Sequence, residues 1–303
     1  MNEYNKRMSI HAHYKKRIDS LIQTYQKLKQ GKESLLNIIN EAEISEQVYN
    51  SNAIENSTLT LQETEKILME MEMSRDVSVR EVFEAKNLAR IMEYVWTKAP
   101  EQKLDSETLL FIHQMLLSNI SDDIAGRFRA PNEYVRIGTY IAPNPQKVSG
   151  LIENLFNHYD TNKDYDIDSI SLFHLDFETI HPFCDGNGRI GRVIINYQLH
   201  NLDLPSIIIR DNEKHLYYKA FKEYQRGNTK ATGEMEKIIA LAFLESLHKR
   251  IAYLNGDTIV TLSDYAKNNT LKQNALTNKA KRQTIPAFRE RGVWKISESA
   301  EIT

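Results

Sequence analysis

A mainly α-helical fold follows from three features of the sequence. Helix breakers are scarce, with 11 glycines and 7 prolines in 303 residues. Strong helix formers such as Lys, Glu and Leu are abundant. Several windows repeat apolar residues at spacings of three and four, the period of one buried helix face. The predicted architecture is a helical bundle with one β-hairpin, followed by a small C-terminal winged-helix or helix-turn-helix-like domain. Residues 1–99 read as an N-terminal helical region, 100–255 as the core, and 256–303 as the appended domain.

The elements can be justified in chain order. Leu109, Leu110, His113, Leu116 and Leu117 form one apolar helix face. The segment from Tyr134 to Ile141 is rich in β-branched and aromatic residues around Gly138 and stops at Ala142-Pro143, which predicts a short hairpin. Val148, Leu151, Ile152, Leu155, Phe156 and Tyr159 predict the next helix. Ile170, Phe173, Phe177 and Ile180 predict another, running up to His181. Val193, Ile194 and Tyr197 continue with helical period beyond the following loop. Past Leu254–Asp257 the pattern becomes strand, helix near Leu262–Lys267, turn, helix near Leu271–Arg282, and two short strands within Pro286–Ile296. Residues 258–303 carry eight basic and four acidic side chains, a net +4 in a chain whose total is −2.

Composition excludes several classes. Thirty-nine basic against 41 acidic residues rule out a globally basic nucleic-acid coat. A single cysteine, Cys184, excludes an internal disulfide and a multi-cysteine metal site, as a reducing compartment would favour. The longest apolar run, Ile238–Leu244, is too short to span a bilayer. The first 17 residues lack an apolar stretch behind their basic ones, so no secretory signal is read there. The expectation is a cytoplasmic protein with no membrane partner.

The chemistry concentrates in twelve residues, His181-Pro182-Phe183-Cys184-Asp185-Gly186-Asn187-Gly188-Arg189-Ile190-Gly191-Arg192, which hold three of the 11 glycines. Asp-Gly and Asn-Gly are also hairpin signals, but both flanks have helical period, so the loop joins two helices. Glycines there allow successive N–H groups to form an anion nest, and a helix beginning near Asn187 adds its positive end. Arg189 and Arg192 are three apart and share a face of the first turn, where they suit phosphate oxygens. Asp185 is the single hard carboxylate that Mg²⁺ needs when phosphates and water supply its other ligands. His181, fixed before a proline, is suited to act as general base toward a hydroxyl. Together these parts predict phosphate-ester chemistry.

The same stretch matches the Fic signature, HPFx(D/E)GNGRxxR, at every specified position, and the resemblance extends over roughly residues 100–250. It implies a Fic-type helical bundle whose residues 100–255 are the catalytic core. The implied reaction transfers AMP from ATP to a Tyr, Ser or Thr hydroxyl of a target protein, with Mg²⁺ or Mn²⁺. In it His181 deprotonates the hydroxyl and Asp185 holds the metal. Asp185, Gly186, Asn187, Gly188, Arg189, Ile190, Gly191 and Arg192 form the implied ATP-binding loop, with Tyr217 and Tyr218 at the nucleotide base. Gln225 stands where some relatives have asparagine, which leaves base selectivity open. The hairpin, with Ile137, Gly138, Thr139 and Tyr140, corresponds to the family's target-binding flap.

Upstream, Ser51-Asn52-Ala53-Ile54-Glu55-Asn56 resembles the family's inhibitory motif, (S/T)xxxE(G/N). That likeness implies that Ser51, Glu55 and Asn56 hold a carboxylate against Arg192 in place of the ATP γ-phosphate. Three alternatives stay open: removal of AMP, transfer of another nucleotide, and a DNA-binding regulator whose Fic domain senses nucleotide. For the C-terminal domain, DNA contact through Lys279, Lys281, Arg282, Arg289 and Arg291 stands beside a protein-docking role. The target and the oligomeric state, including a homo-oligomer, are left open as well.

Overall fold

The computed structural model describes residues 12–70, 77–159, 167–228 and 231–302. The N-terminal stretch read for a secretory signal lies largely outside them. The described chain is mainly helical with two small antiparallel sheets. It divides into two compact units, one of residues 44–204 and 209–236, the other of residues up to 43, 205–208 and from 237 on.

The elements in chain order are α1 (Ala12–Leu28), α2 (Glu33–Ile54), α3 (Leu61–Glu65), α4 (Val79–Lys98) and α5 (Ser106–Leu117). A hairpin follows, β1 (Arg136–Ile137) and β2 (Tyr140–Ile141), then α6 (Val148–His158), α7 (Ile167–Ile180), α8 (Asn187–Asn201), α9 (Lys214–Gln225) and α10 (Ala231–Asn255). The last elements are β3 (Ile259–Thr261), α11 (Leu262–Asn268), α12 (Gln273–Lys281), β4 (Ala287–Glu290) and β5 (Val293–Ser297).

In the first unit, α4, α5, α6, α7 and α8 close on one core. Leu88, Ile91, Leu109, Ile112, Leu116, Val148, Ile152, Phe177, Val193 and Tyr197 are each fully or almost fully buried in it. The apolar positions picked out by periodicity fill this core or border it, except Ile170, which is buried outside it. Polar caps fix where these helices start. Ser78 accepts from the Glu81 N–H at 3.1 Å, and Asp105 from the Thr108 N–H at 2.9 Å. Thr60 and Glu63 form a reciprocal capping box at α3. The hairpin pairs Ile137 with Tyr140 around Gly138 and Thr139.

In the second unit, strands order β3-β5-β4, all antiparallel, with α11 and α12 packed through Leu262, Tyr265, Leu276 and Ala280 onto Ile285, Ala287 and Ile296. Gln283, 1% exposed, is the polar hub of this unit. Its amide donates to the Ala280 and Ala287 carbonyls at 3.0 and 3.1 Å and accepts from His248 at 2.8 Å. Arg289 closes on Glu245 with Nη2 at 2.6 Å and Nε at 3.0 Å. Among the described residues no helix is long and apolar enough to cross a membrane.

Candidate functional site

Two helix ends build the site. α7 finishes at His181, whose φ is +50° and whose N–H donates to the Phe177 carbonyl at 2.9 Å. That is the left-handed helix stop, and Pro182 prevents a further turn. A left-handed non-glycine residue costs about 1–2 kcal/mol, so its surroundings must hold it. Arg129, 3% exposed, does so. Its Nε donates to the His181 carbonyl at 2.8 Å, Nη1 to the Glu133 carbonyl at 3.0 Å and Nη2 to the Pro143 carbonyl at 2.9 Å. From α7, Glu178 sets its carbonyl 3.3 Å and its Oε2 3.6 Å from His181 Nδ1. A proton on Nδ1 facing those oxygens leaves the lone pair on Nε2.

α8 begins at Asn187 after Gly186, whose φ is +84° and where a Cβ would come within 2.7 Å of Leu116. Gly186, the N-cap of α8, offers no side-chain cap, so the N–H groups of the first turn are left for an anion. The Asn187 side chain turns inward instead. It accepts from the Phe183 N–H and donates to the Phe183 carbonyl, both at 2.9 Å. Phe183 is fully buried and stacks on His113 at 3.7 Å between ring centroids. His113 Nε2 reaches the Asp185 carbonyl at 3.1 Å, while its Nδ1 accepts from the Gly126 N–H at 3.1 Å. Burial pushes the His113 pKa down to about 4, which keeps this staple neutral. The Ile190 side chain lies in the core, and Gly191 leaves room for His174 and Glu178, each of which a Cβ would approach to 2.7 Å.

A cavity of about 440 Å³ opens over this loop, with Glu55, Arg80, His181, Asp185, Gly188 and Arg189 on its walls. Cys184 borders it, but burial and Glu133 push its thiol up to about 11, so it stays protonated. Charges on the floor alternate. Asp185 Oδ2 meets Arg80 Nη2 at 2.5 Å and Oδ1 meets Arg189 Nη2 at 3.1 Å. Glu84 Oε1 meets Arg80 Nε and Arg189 Nη1, both at 3.0 Å. Burial alone would raise the Asp185 carboxyl, yet Arg189 and Arg80 outweigh it and hold it below the usual carboxylate range.

Ser51 and Glu55 meet Arg192, whose Nε donates to Ser51 Oγ at 3.0 Å. Its Nη2 donates to the Ser51 carbonyl at 2.8 Å and to Glu55 Oε1 at 2.9 Å. A Cβ on Gly188 would lie 2.2 Å from Glu55 Oε1, so the carboxylate sits directly on the first turn of α8. Glu55 follows α2 immediately. Beyond it Asn56 is left-handed at φ +66°, with Asn56 N–H on the Ala53 carbonyl and Ser57 N–H on the Asn52 carbonyl, both at 3.0 Å. This is a Schellman ending, and it explains glycine or asparagine after the glutamate, since both tolerate that backbone. The four last carbonyls of α2 are all occupied: Ser51 by Arg192, Asn52 by Ser57, Ala53 by Asn56 and Lys214, and Ile54 by the Tyr218 hydroxyl at 2.8 Å.

Tyr217 is buried, with His174 Nε2 2.7 Å and Arg192 Nη1 3.5 Å from its hydroxyl, and Tyr218 is exposed. The hairpin is tied to the end of α7 by the Tyr140 hydroxyl, which donates to the Thr179 carbonyl at 3.3 Å. Tyr134 and Ile141 beside it are exposed. The fold thus gathers His181, Asp185, Gly186, Asn187, Gly188, Arg189 and Glu55 around one cavity, with Ser51, Arg192 and Tyr217 buried behind Glu55. Sequence reasoning missed Arg80, Glu84, Arg129 and Glu178. Only Glu178, three residues before His181 on the same helix, left a local signal.

Residues 103–199 match the Fic/DOC family. The chain is 31% identical over 188 residues to the protein adenylyltransferase Fic of Nematostella vectensis, covering 60% of this chain and 43% of that protein. It is 30% identical over 187 residues to the Drosophila melanogaster protein of the same name, covering 60% and 37%. It therefore spans less than half the length of these relatives. Among solved structures it resembles a Fic domain-containing signalling protein of Bacteroides thetaiotaomicron, with TM-score 0.71, 24% identity and coverage of 80% of this chain and 97% of that one. C. elegans Fic-1 gives TM-score 0.67 at 21% identity, with 80% and 72% covered. These structural likenesses speak for the fold, and the sequence relatives give the kinship: residues 103–199 belong to the Fic/DOC family, and the chain is related to the proteins named protein adenylyltransferase Fic at about 30% identity.

Proposed function

We propose that the protein transfers AMP from ATP to a Tyr, Ser or Thr hydroxyl of a target protein and that Glu55 holds this activity down. The observation that carries the reading is the position of the Glu55 carboxylate. It occupies the uncapped N-terminal turn of α8 and the Arg192 guanidinium, where an anionic phosphate would otherwise bind. In the reaction the target oxygen bonds to the α-phosphorus, its proton passes to His181, and the bond to the β-phosphate oxygen breaks to release pyrophosphate. The first-turn N–H groups of α8 would stabilise charge developing on the α-phosphate. Asp185, an ionised carboxylate on the cavity wall, is a hard oxygen donor suited to Mg²⁺ or Mn²⁺. Such an ion, when bound, supplies charge neutralisation to the phosphates.

The exposed hairpin residues Tyr134 and Ile141 suit docking of an extended target segment. A second reading is favoured by one fact: Glu55 and His181 line the same cavity, so the pair could activate water to remove AMP from a modified target. Incubation with α-labelled ATP and Mg²⁺ tests the first. Glu55→Gly should label protein at least tenfold faster than the wild type. Equal labelling would remove the inhibitory role, and no labelling by either would remove the transferase.

The arrangement β3-α11-α12-β4-β5 with sheet order β3-β5-β4 supports a winged-helix-type domain. If it binds DNA, α12 with Lys279 and Lys281 is the reading helix. Arg289, held by Glu245, is not part of that face.

A further inference from the structure

The Asp185 carboxylate, assigned above to a divalent ion, is already engaged by two cations. Arg80, Asp185, Arg189 and Glu84 form a closed ring of alternating charge, with contacts of 2.5, 3.1, 3.0 and 3.0 Å. Two carboxylates and two guanidiniums cancel. A dication bound at Asp185 with the ring intact would sit against two positive neighbours, so one guanidinium must leave. The two are not equivalent. The Arg189 side chain is 5% exposed and fixed between Glu84 and Asp185, and moving it would strand a buried charge. The Arg80 side chain is 53% exposed and reaches Asp185 across 105 residues of chain from the second residue of α4. It can swing into water while keeping its partner Glu84.

The base of Arg80 is nonetheless well anchored. Its neighbour Glu81 accepts from Ser57 Oγ at 3.1 Å and from the Thr58 N–H at 2.6 Å, and caps back to Ser78 Oγ at 3.1 Å. The side chain is thus a mobile arm on a fixed shoulder.

We infer that Arg80 is a placeholder cation, which neutralises Asp185 while the metal is absent and gives way when a metal–nucleotide complex enters. This rests on the assignment of Asp185 to the metal. Two consequences have opposite signs. Without metal, Arg80 shields incoming phosphates from the Asp185 charge, so its loss should weaken metal-free nucleotide binding. With metal, Arg80 competes for the same carboxylate, so its loss should leave binding equal or tighter. The widened ratio between the two affinities is the signature, and a merely structural arginine would not produce it.

ADP is the probe, since it has no γ-phosphate to compete with Glu55 and is not turned over. Calorimetric affinities with Mg²⁺ and with EDTA would be compared for wild type, Arg80→Gln, Arg80→Lys and Asp185→Asn, with thermal midpoints confirming folding. Arg80→Gln should widen the Mg²⁺/EDTA ratio about two- to fivefold, the scale of a part-exposed ion pair. Arg80→Lys, which keeps the cation, should stay near wild type, and Asp185→Asn should collapse the ratio toward one. An unchanged ratio in Arg80→Gln with collapse in Asp185→Asn would overturn the role of Arg80 and leave the metal assignment standing. An unchanged ratio in Asp185→Asn would overturn both.

Discussion

Glu55 places a carboxylate at the C-terminal end of α2, where the helix dipole disfavours it by about 0.3–1 kcal/mol. Arg192 and the positive end of α8 reverse that penalty, so the charge is tolerable only while both stay in place. Gly188 is part of the same arrangement, because the carboxylate rests on its Cα. Gly188→Ala should expel the carboxylate and obstruct phosphate at once. ADP affinity is expected to fall at least tenfold with no gain in transfer, measured by calorimetry and labelling. His181 is a second costly residue. His181→Ala should slow transfer by about 10²–10⁴-fold while ADP binding stays within twofold. His181→Gly should lose as much rate yet melt at the same or a higher temperature, because it relieves the left-handed strain. Melting and labelling of both variants check this, and a lower midpoint for the glycine variant would contradict the strain argument.

At the scale of elements, the grip of α2 depends on groups outside it. Tyr218→Phe deletes the hydroxyl that caps the Ile54 carbonyl, a bond worth about 0.5–1.5 kcal/mol. Basal AMP transfer should rise about two- to tenfold, and suppression of that rise by restoring the hydroxyl would confirm the cause. Much of this element structure was legible in the sequence. The apolar spacing in α5, α6, α7 and α8 is a local property, as is the β-branched hairpin around Gly138. The start of α8 near Asn187 followed from the helical period on both flanks of the glycine-rich stretch, although Gly188 and Gly191 lie inside the helix. The role of the Asn187 side chain did not follow, since its amide serves the Phe183 backbone and an asparagine between two glycines carries no local mark of that use. Arg80 and Arg129 were illegible for a different reason. Their partners lie 105 and 52 residues away, and an arginine on a helix or loop has no pattern that distinguishes a clamp from a solvated charge.

At the scale of the whole molecule, three buried histidines predict how acid acts. Burial lowers the pKa of His174 to about 3 and those of His113 and His248 to about 4, against about 6.5 in the unfolded chain. Below pH 6.5 the unfolded state therefore takes up protons that the folded state refuses. Stability should fall as pH drops from about 6.5 to 4, a window above that in which paired carboxylates such as Glu43 titrate. Thermal midpoints across this range should decline, and His248→Gln should flatten the decline. The C-terminal unit offers a separate test. DNA affinity, if present, should weaken steeply with salt and be reduced by Lys279→Ala/Lys281→Ala.

The ending of α2 has a consequence for rate. Of the groups that occupy its last four carbonyls, Arg192, Lys214 and Tyr218 come from α8 and α9. Release of Glu55 therefore requires one helical turn to fray, not the core to melt, and turns at helix ends open at a small fraction of the global free energy. The idle rate of the proposed enzyme becomes the population of that frayed turn multiplied by the rate of the released site. Amide exchange at Glu55 to Thr58 should then track basal transfer across variants. Gentle warming or sub-denaturing urea should act as an activator, well before any loss of the fold.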